Sequence, residues 1–450
     1  MGREFLVGGR NVYTYALFGL IWCLICYVGF KFSANCKIPA FIAYIILGVG
    51  LLVRIVYSVK VFGYTGDIIS FSDWGARAVE YGFSGFYVKD FLTDYPPGYV
   101  YVLYAIGRIR AHFHIAQYSV MDLFLLKFPS ICCDVMCSYL IYRESRKRMH
   151  FSELQSVFLM SAYLFQPTVI LDSACWGQVD AIYTLVVVIL CLLLMDGRML
   201  PAYGIYGIGI LLKPQTIMFT PVLLGGIINH VFLKDFSWKK FFRNLVGGFS
   251  VIGGMALVAA PFGLGKVISQ YTDTLGSYPY TSINAYNFWT LVGLGGRDQN
   301  TVFLFLPCSV WSNIVIVLVV LFTILILIRC RDKIYCYFLG SSFIILTMFT
   351  FAVNMHERYM FPALALVLFV FIYQPTKPVW LCYSAFSVAT FCNIAWQLFN
   401  LWNRAPGNAQ LLAVRISAVI VEAVVFLWDS DSPVLSLIHI SEPTRHAQIS

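Results

Sequence analysis

The chain has 450 residues, 60% of them hydrophobic and only 12% charged, with a mean hydropathy of +0.77. Soluble domains carry about 25% charged residues, so a water-soluble globular class is excluded. The formal net charge of +9 comes from basic residues scattered through short connections, which excludes a cationic face for nucleic acid and points to membrane topology.

Apolar runs of span length recur from end to end and predict an all-α polytopic membrane protein in a lipid bilayer, with about 13 transmembrane helices. In chain order they fall near 14–32, 39–58, 120–142, 152–171, 178–196, 200–213, 215–232, 244–262, 302–328, 334–353, 359–373, 379–400 and 410–428. No linker, charge block or repeat divides them, so 1–433 reads as a single membrane domain. Met1 to Lys31 lacks a small-residue cleavage pattern and runs into a span-length segment, which argues against a cleaved signal peptide. Segment 434–450 is set apart, because Leu435 to Arg445 reads as translated sequencing adapter; the natural protein is expected to continue differently beyond about Asp431.

Segment 96–113 is also apolar, but Arg108, Arg110, His112 and His114 interrupt it, and it is expected to lie as an interfacial helix in the first large outer loop. With that segment flat, one set of loops collects Lys37, Arg143, Arg146, Lys147, Arg148, Arg198, Lys234, Lys239, Lys240, Arg243, Arg329, Arg331, Lys333 and Lys377. The short loops opposite hold only Lys213, Arg358 and Arg404. The first set is therefore expected inside and the second outside, with the N-terminus outside too. The 13 cysteines lie mostly inside apolar runs and show no metal-ligand spacing, so they read as packing residues.

Polar groups at membrane level are costly, so their placement is informative. Five groupings fall on the expected outer side: Gly66-Asp67 with Ser72-Asp73-Trp74; Asp94-Tyr95-Pro96-Pro97; Trp176-Gly177-Gln178-Val179-Asp180; Lys213-Pro214-Gln215; and His356-Glu357-Arg358-Tyr359. Asn284 to Trp289, including Asn287, adds a further polar stretch in the second long outer loop, 263–301. Convergence on one leaflet is what an active site at a membrane surface requires.

In their order along residues 40–400 these motifs resemble the GT-C class of multispanning glycosyltransferases, and within it bacterial mannosyltransferases related to the GPI-anchor mannosyltransferases. The resemblance implies a GT-C-like fold in a bacterial plasma membrane with the site facing outward. It further implies transfer of a hexose, mannose at the family level, from a polyprenyl-phosphate sugar donor to an acceptor whose identity stays open, with inversion at the anomeric carbon. Such a reaction needs a base for the acceptor hydroxyl and positive charge for the leaving phosphate.

On that resemblance Asp67 is the expected base and His356 with Arg358 the phosphate clamp, helped by Lys213. Asp73, Trp74, Asp94, Tyr95, Trp176, Gln178, Asp180, Asn287 and Glu357 complete the expected substrate contacts. Plainer readings stand beside these. Asp67 also reads as a solvated loop carboxylate, and Asp73 competes for its role. Trp176 also suits an aromatic belt and Lys213 a snorkelling lysine. Glu357 also reads as a holder of Arg358, and Asp94 as the N-cap of the helix opened by Pro96-Pro97. No cofactor is expected; no strong divalent-ion motif is present, and Asp67 with Asp73 or Asp94 is the pair that could hold a metal ion. The rival class is a transporter or lipid-linked-sugar flippase, for which Arg54 and Asp134 inside the apolar runs are the noteworthy residues.

Overall fold

A computed structural model describes residues 9–398 except 89, 90, 92, 235 and 277, with backbone alone for 9–13 and 274–276. The expected span 410–428, the connection 401–409 with Arg404, and the tail 434–450 lie outside the described residues.

The described chain is helical almost throughout. In order it forms α1 (Gly9–Phe32), α2 (Phe41–Lys60), α3 (Thr65–Tyr81), α4 (Pro97–Phe113), α5 (Val120–Lys147), α6 (Glu153–Leu164) and α7 (Pro167–Ile170). The last continues into a π-helix, Leu171–Trp176. Then come α8 (Asp180–Met195), α9 (Met199–Leu212), a 3₁₀ turn (Pro214–Phe219) running into α10 (Thr220–Ile227), α11 (Trp238–Ala259) and α12 (Leu264–Gly276). The chain closes with α13 (Phe288–Leu291), α14 (Cys308–Arg329), α15 (Cys336–Phe351), α16 (Pro362–Tyr373) and α17 (Lys377–Leu398). Four two-residue strands sit in the connections: β1 (Ser282–Ile283), β2 (Val302–Phe303), β3 (Leu306–Pro307) and β4 (Met355–His356). β1 pairs parallel with β4, and β2 pairs antiparallel with β3.

The all-α architecture follows the apolar periodicity, but the count of 13 spans does not hold. Among the described residues six helices are long and apolar enough to cross a membrane: Thr14–Phe32, Phe41–Lys60, Pro214–Leu233, Trp238–Phe262, Cys308–Arg329 and Lys377–Leu398. The pair Glu153–Leu164 and Pro167–Trp176, bent by 48°, makes seven if taken as one span. Gln166-Pro167 supplies the break, because proline lacks the N–H and disfavours a helical residue before it. α8, α9, α15 and α16 are apolar but run only 16, 14, 16 and 12 residues. At 1.5 Å per residue they cover about 18–24 Å, short of a ~30 Å hydrocarbon core. The expected span 302–328 begins late, since 302–307 turns as the β2–β3 hairpin.

Every side chain of α16 is buried, as a helix apolar on all sides must be. It packs against α15, α17, α8, α5 and α6 and forms the centre of the largest apolar core. Exposed apolar side chains lie instead on α1, α2, α11 and α14, among them Leu24, Ile45, Leu257 and Val317. That distribution suits helices facing hydrocarbon rather than water.

The helix expected over 96–113 forms as α4, packed on α3. Its N-cap position is Pro96, so Asp94 lies two residues too early to cap it. Arg110 is buried and donates to both oxygens of Asp122 at 3.1 and 3.2 Å, and to the Ser72 carbonyl at 2.8 Å. Arg54 and Asp134 form a pair at 3.3 Å in which both side chains are fully buried; Ser173 and Tyr163 also donate to Asp134. Arg54 and Arg110 are thus each paired with a carboxylate in place, and neither lines the cavity described below.

Candidate active site

A cavity of about 600 Å³ opens where the C-terminal end of α2, the start of α3, the end of the π-helix and the connections 213–218 and 354–359 meet. Asp67, Asp94, Tyr95, Trp176, Lys213, His356, Glu357 and Arg358 all line it. Residues from groupings nearly 300 positions apart therefore line one cavity. The local reasons are legible. Asp67 sits in the first turn of α3, where a carboxylate complements the helix dipole. Gly177, at φ +92°, ends the π-helix and lets the backbone turn toward Gln178. The β1–β4 pairing places Ile283 beside His356 and fixes the segment that carries Glu357 and Arg358.

Asp67 is held by two donors on one oxygen. Trp176 Nε1 donates to Oδ2 at 2.6 Å and Gln178 Nε2 at 2.5 Å, and among the described residues no donor reaches Oδ1. Tyr95 donates its hydroxyl to Gln178 Oε1 at 3.4 Å, and Tyr64 stacks on Trp176 with centroids 5.0 Å apart. Gln178 and Asp180 are buried and do not line the cavity; both act from behind its wall.

The positive charge is arranged around Asp180. Lys213 Nζ donates to Asp180 Oδ1 at 2.8 Å, and Arg358 Nε lies 3.6 Å from Oδ2. Arg358 also donates to Glu357 Oε1 at 2.7 Å, and its guanidinium lies 5.6 Å from the centroid of the Trp176 ring. Burial works against the charge on Arg358, but Glu357, Asp67 and Asp180 raise its pKa well above the ordinary value. Burial lowers the pKa of Lys213, with Asp180 opposing it. Burial, then the charges of Arg358 and Lys213, hold His356 well below the usual imidazole value, so it is a neutral hydrogen-bonding group near pH 7 rather than part of a charge clamp. Burial, and secondly Asp67, raise the pKa of Asp94; burial also raises that of Glu357 against the pull of Arg358.

Besides Gln178 and Asp180, three expected residues do not line the cavity. Asp73 lies six positions along α3 from Asp67, which at 100° per residue turns it to another side, where it accepts from the Tyr118 hydroxyl. Trp74 is buried in a second apolar core against Phe71 and Tyr95. Asn287 caps the short α13, accepting from Thr290 N at 3.4 Å and donating to the Phe349 carbonyl at 3.2 Å. Conversely, Tyr64, Tyr278, Gln270, Tyr271 and Gln397 line the cavity without having been expected there. Only Tyr64, beside Gly66-Asp67, carried a local signal; the others arrive through long-range packing.

With Asp73 turned away, Asp67 and Asp94 remain as neighbouring carboxylates on the wall. Among the described residues no three His, Cys, Asp or Glu side chains are grouped to hold a metal ion. The cavity combines a carboxylate with an oxygen left to accept, a buried guanidinium, and a surround of aromatic rings and amides. No protein-family model matches the chain, and no curated protein matches it either.

Proposed function

We propose that the protein is a membrane glycosyltransferase that moves a hexose, in the GT-C manner, from a polyprenyl-phosphate donor to an acceptor hydroxyl at the outer membrane face. One observation carries the reading: Asp67, fixed by Trp176 and Gln178, lines the same cavity as Arg358. An inverting transfer needs that combination, a base on one side of the sugar and positive charge for the leaving group on the other.

In this mechanism the acceptor oxygen attacks the anomeric carbon as Asp67 Oδ1 takes its proton. The bond from that carbon to the phosphate oxygen breaks, and its electron pair stays with the phosphate. Arg358 receives the phosphate, a planar donor fork suited to two oxygens. Lys213 acts through Asp180, which it shares with Arg358. Neutral His356 supplies a hydrogen bond. Tyr64 and Tyr278 offer aromatic faces for sugar rings, and Ile217, Met218 and Val267 give the cavity an apolar side for the prenyl chain.

The test is transfer of radiolabelled mannose or glucose from the corresponding polyprenyl phosphate, in wild type and in Asp67→Asn at matched expression. Transfer by the wild type that is lost in the variant is expected. Full activity in the variant would move the base to Asp94. Carrier binding without transfer to any acceptor in a panel would overturn the reading in favour of a flippase.

A further inference from the structure

Lys127 is a buried cation that this mechanism does not use. It lies in α5, is fully buried, and lines no part of the cavity. Among the described residues no carboxylate pairs with it. Its ammonium instead donates to three backbone carbonyls: Val61 at 2.6 Å, Cys175 at 3.1 Å and Ser58 at 3.3 Å. An ammonium has three N–H donors, so all are engaged. Burying a lysine with no counter-charge is costly, and the arrangement calls for a reason.

The three carbonyls belong to two segments far apart in sequence. Ser58 and Val61 close α2 just before the turn into α3, which carries Asp67 six residues beyond Val61. Cys175 immediately precedes Trp176, whose indole donates to Asp67. The segments also touch directly. Tyr64 N donates to the Trp176 carbonyl at 3.4 Å, and a Cβ on Gly63 would stand 2.4 Å from that same oxygen. Three residues along the same face of α5, Ser130 Oγ donates to the Gln178 carbonyl at 2.6 Å. α5 thus holds both sides of the Asp67–Trp176–Gln178 constellation from beneath.

We infer that Lys127 is a positioning residue for Asp67, its ammonium clamping the α2–α3 turn to the end of the π-helix so that the carboxylate meets its two donors. The role rests on the reading of Asp67 as the base. Displacement of a catalytic group by about 1 Å can cost on the order of 100-fold in rate.

Lys127→Met keeps the stem and removes the donors. The measurements are transfer kinetics and backbone hydrogen exchange of peptides covering 58–68 and 174–179, on full-length protein in lipid nanodiscs. The expected result is a kcat lower by roughly 100-fold with KM within about 2-fold, and faster exchange in those two peptides but not in α14 or α16. Should Lys127→Met fail to fold, Lys127→Gln, which retains two N–H donors, carries the same prediction at smaller amplitude. Unchanged kcat, or a loss confined to KM, overturns the inference. If the wild type transfers no sugar, the proposed function fails, and the exchange data alone then decide whether Lys127 clamps the two segments; unchanged exchange sinks the clamp.

Discussion

Asp180→Asn removes the carboxylate that lies between two buried cations. Asp180 and Lys213 are almost wholly buried, their atoms 2.8 Å apart, and Arg358 stands 3.6 Å away on the other oxygen. Glu357 remains for Arg358 after the substitution, but Lys213 keeps only an amide oxygen as its acceptor. Removing one partner of a buried pair costs about 3–5 kcal/mol, because the other charge is left without compensation. The retained hydrogen bond, worth about 1 kcal/mol, sets the expectation at the lower end, near 3 kcal/mol. That corresponds to roughly a 150-fold shift in the folding equilibrium. Removing the stranded cation as well, in Asp180→Asn with Lys213→Met, is expected to restore about 1–3 kcal/mol relative to the sum of the single substitutions. The assay is reversible unfolding in mixed micelles titrated with dodecyl sulfate and followed by circular dichroism. A cost below about 1 kcal/mol for Asp180→Asn, or strict additivity in the double variant, would refute the account of Asp180 as the shared counter-charge.

Three further outcomes follow from the same geometry. His356 is held below its ordinary pKa, so the unfolded chain binds more protons than the folded one as pH falls through the region below 6.5. Its contribution is thus a loss of stability on acidification there, which His356→Gln should remove from a pH series of melting temperatures. Asp94 and Glu357, raised from 3.8 and 4.5, act with the opposite sign above those values. Arg54→Met alone should destabilise by about 3–5 kcal/mol by stranding Asp134, whereas Arg54→Met with Asp134→Leu should recover most of it; equal loss in both would count against the pair. Gly63→Ala places a Cβ 2.4 Å from the Trp176 carbonyl at a φ of +103°, so it should cost about 1–3 kcal/mol and depress transfer, and a neutral effect would contradict the tight turn.

Much of the candidate site was legible in the sequence, because a polar residue at membrane depth needs a reason and five such groupings came in order. Asp67, Asp94, Trp176, Lys213, His356, Glu357 and Arg358 line one cavity. Asp73 and Trp74 were legible only as neighbours of Asp67; helical phase, not proximity, turned them elsewhere. Asn287 looked like a polar site residue and is an N-cap. His356 looked like half of a charge clamp, but its neutrality depends on burial that no single sequence reveals. The span count failed for a related reason. Hydropathy registers that α8, α15 and α16 are apolar, yet it cannot tell a helix sheathed by protein from one bathed in lipid. Lys127 was readable only as an interruption of an apolar run, since its partners are carbonyls, which every residue has.

The enclosure of α16 has a consequence for how the chain is made. A segment of 12 residues with no lipid-facing side has nothing to gain by leaving the translocation machinery alone. It becomes stable only once α5, α6, α8 and α15 are already gathered and α17 closes behind it. Assembly is therefore a matter of late enrolment: the innermost helix is synthesised after α5, α6, α8 and α15, and the bundle must hold a vacancy for it until it arrives.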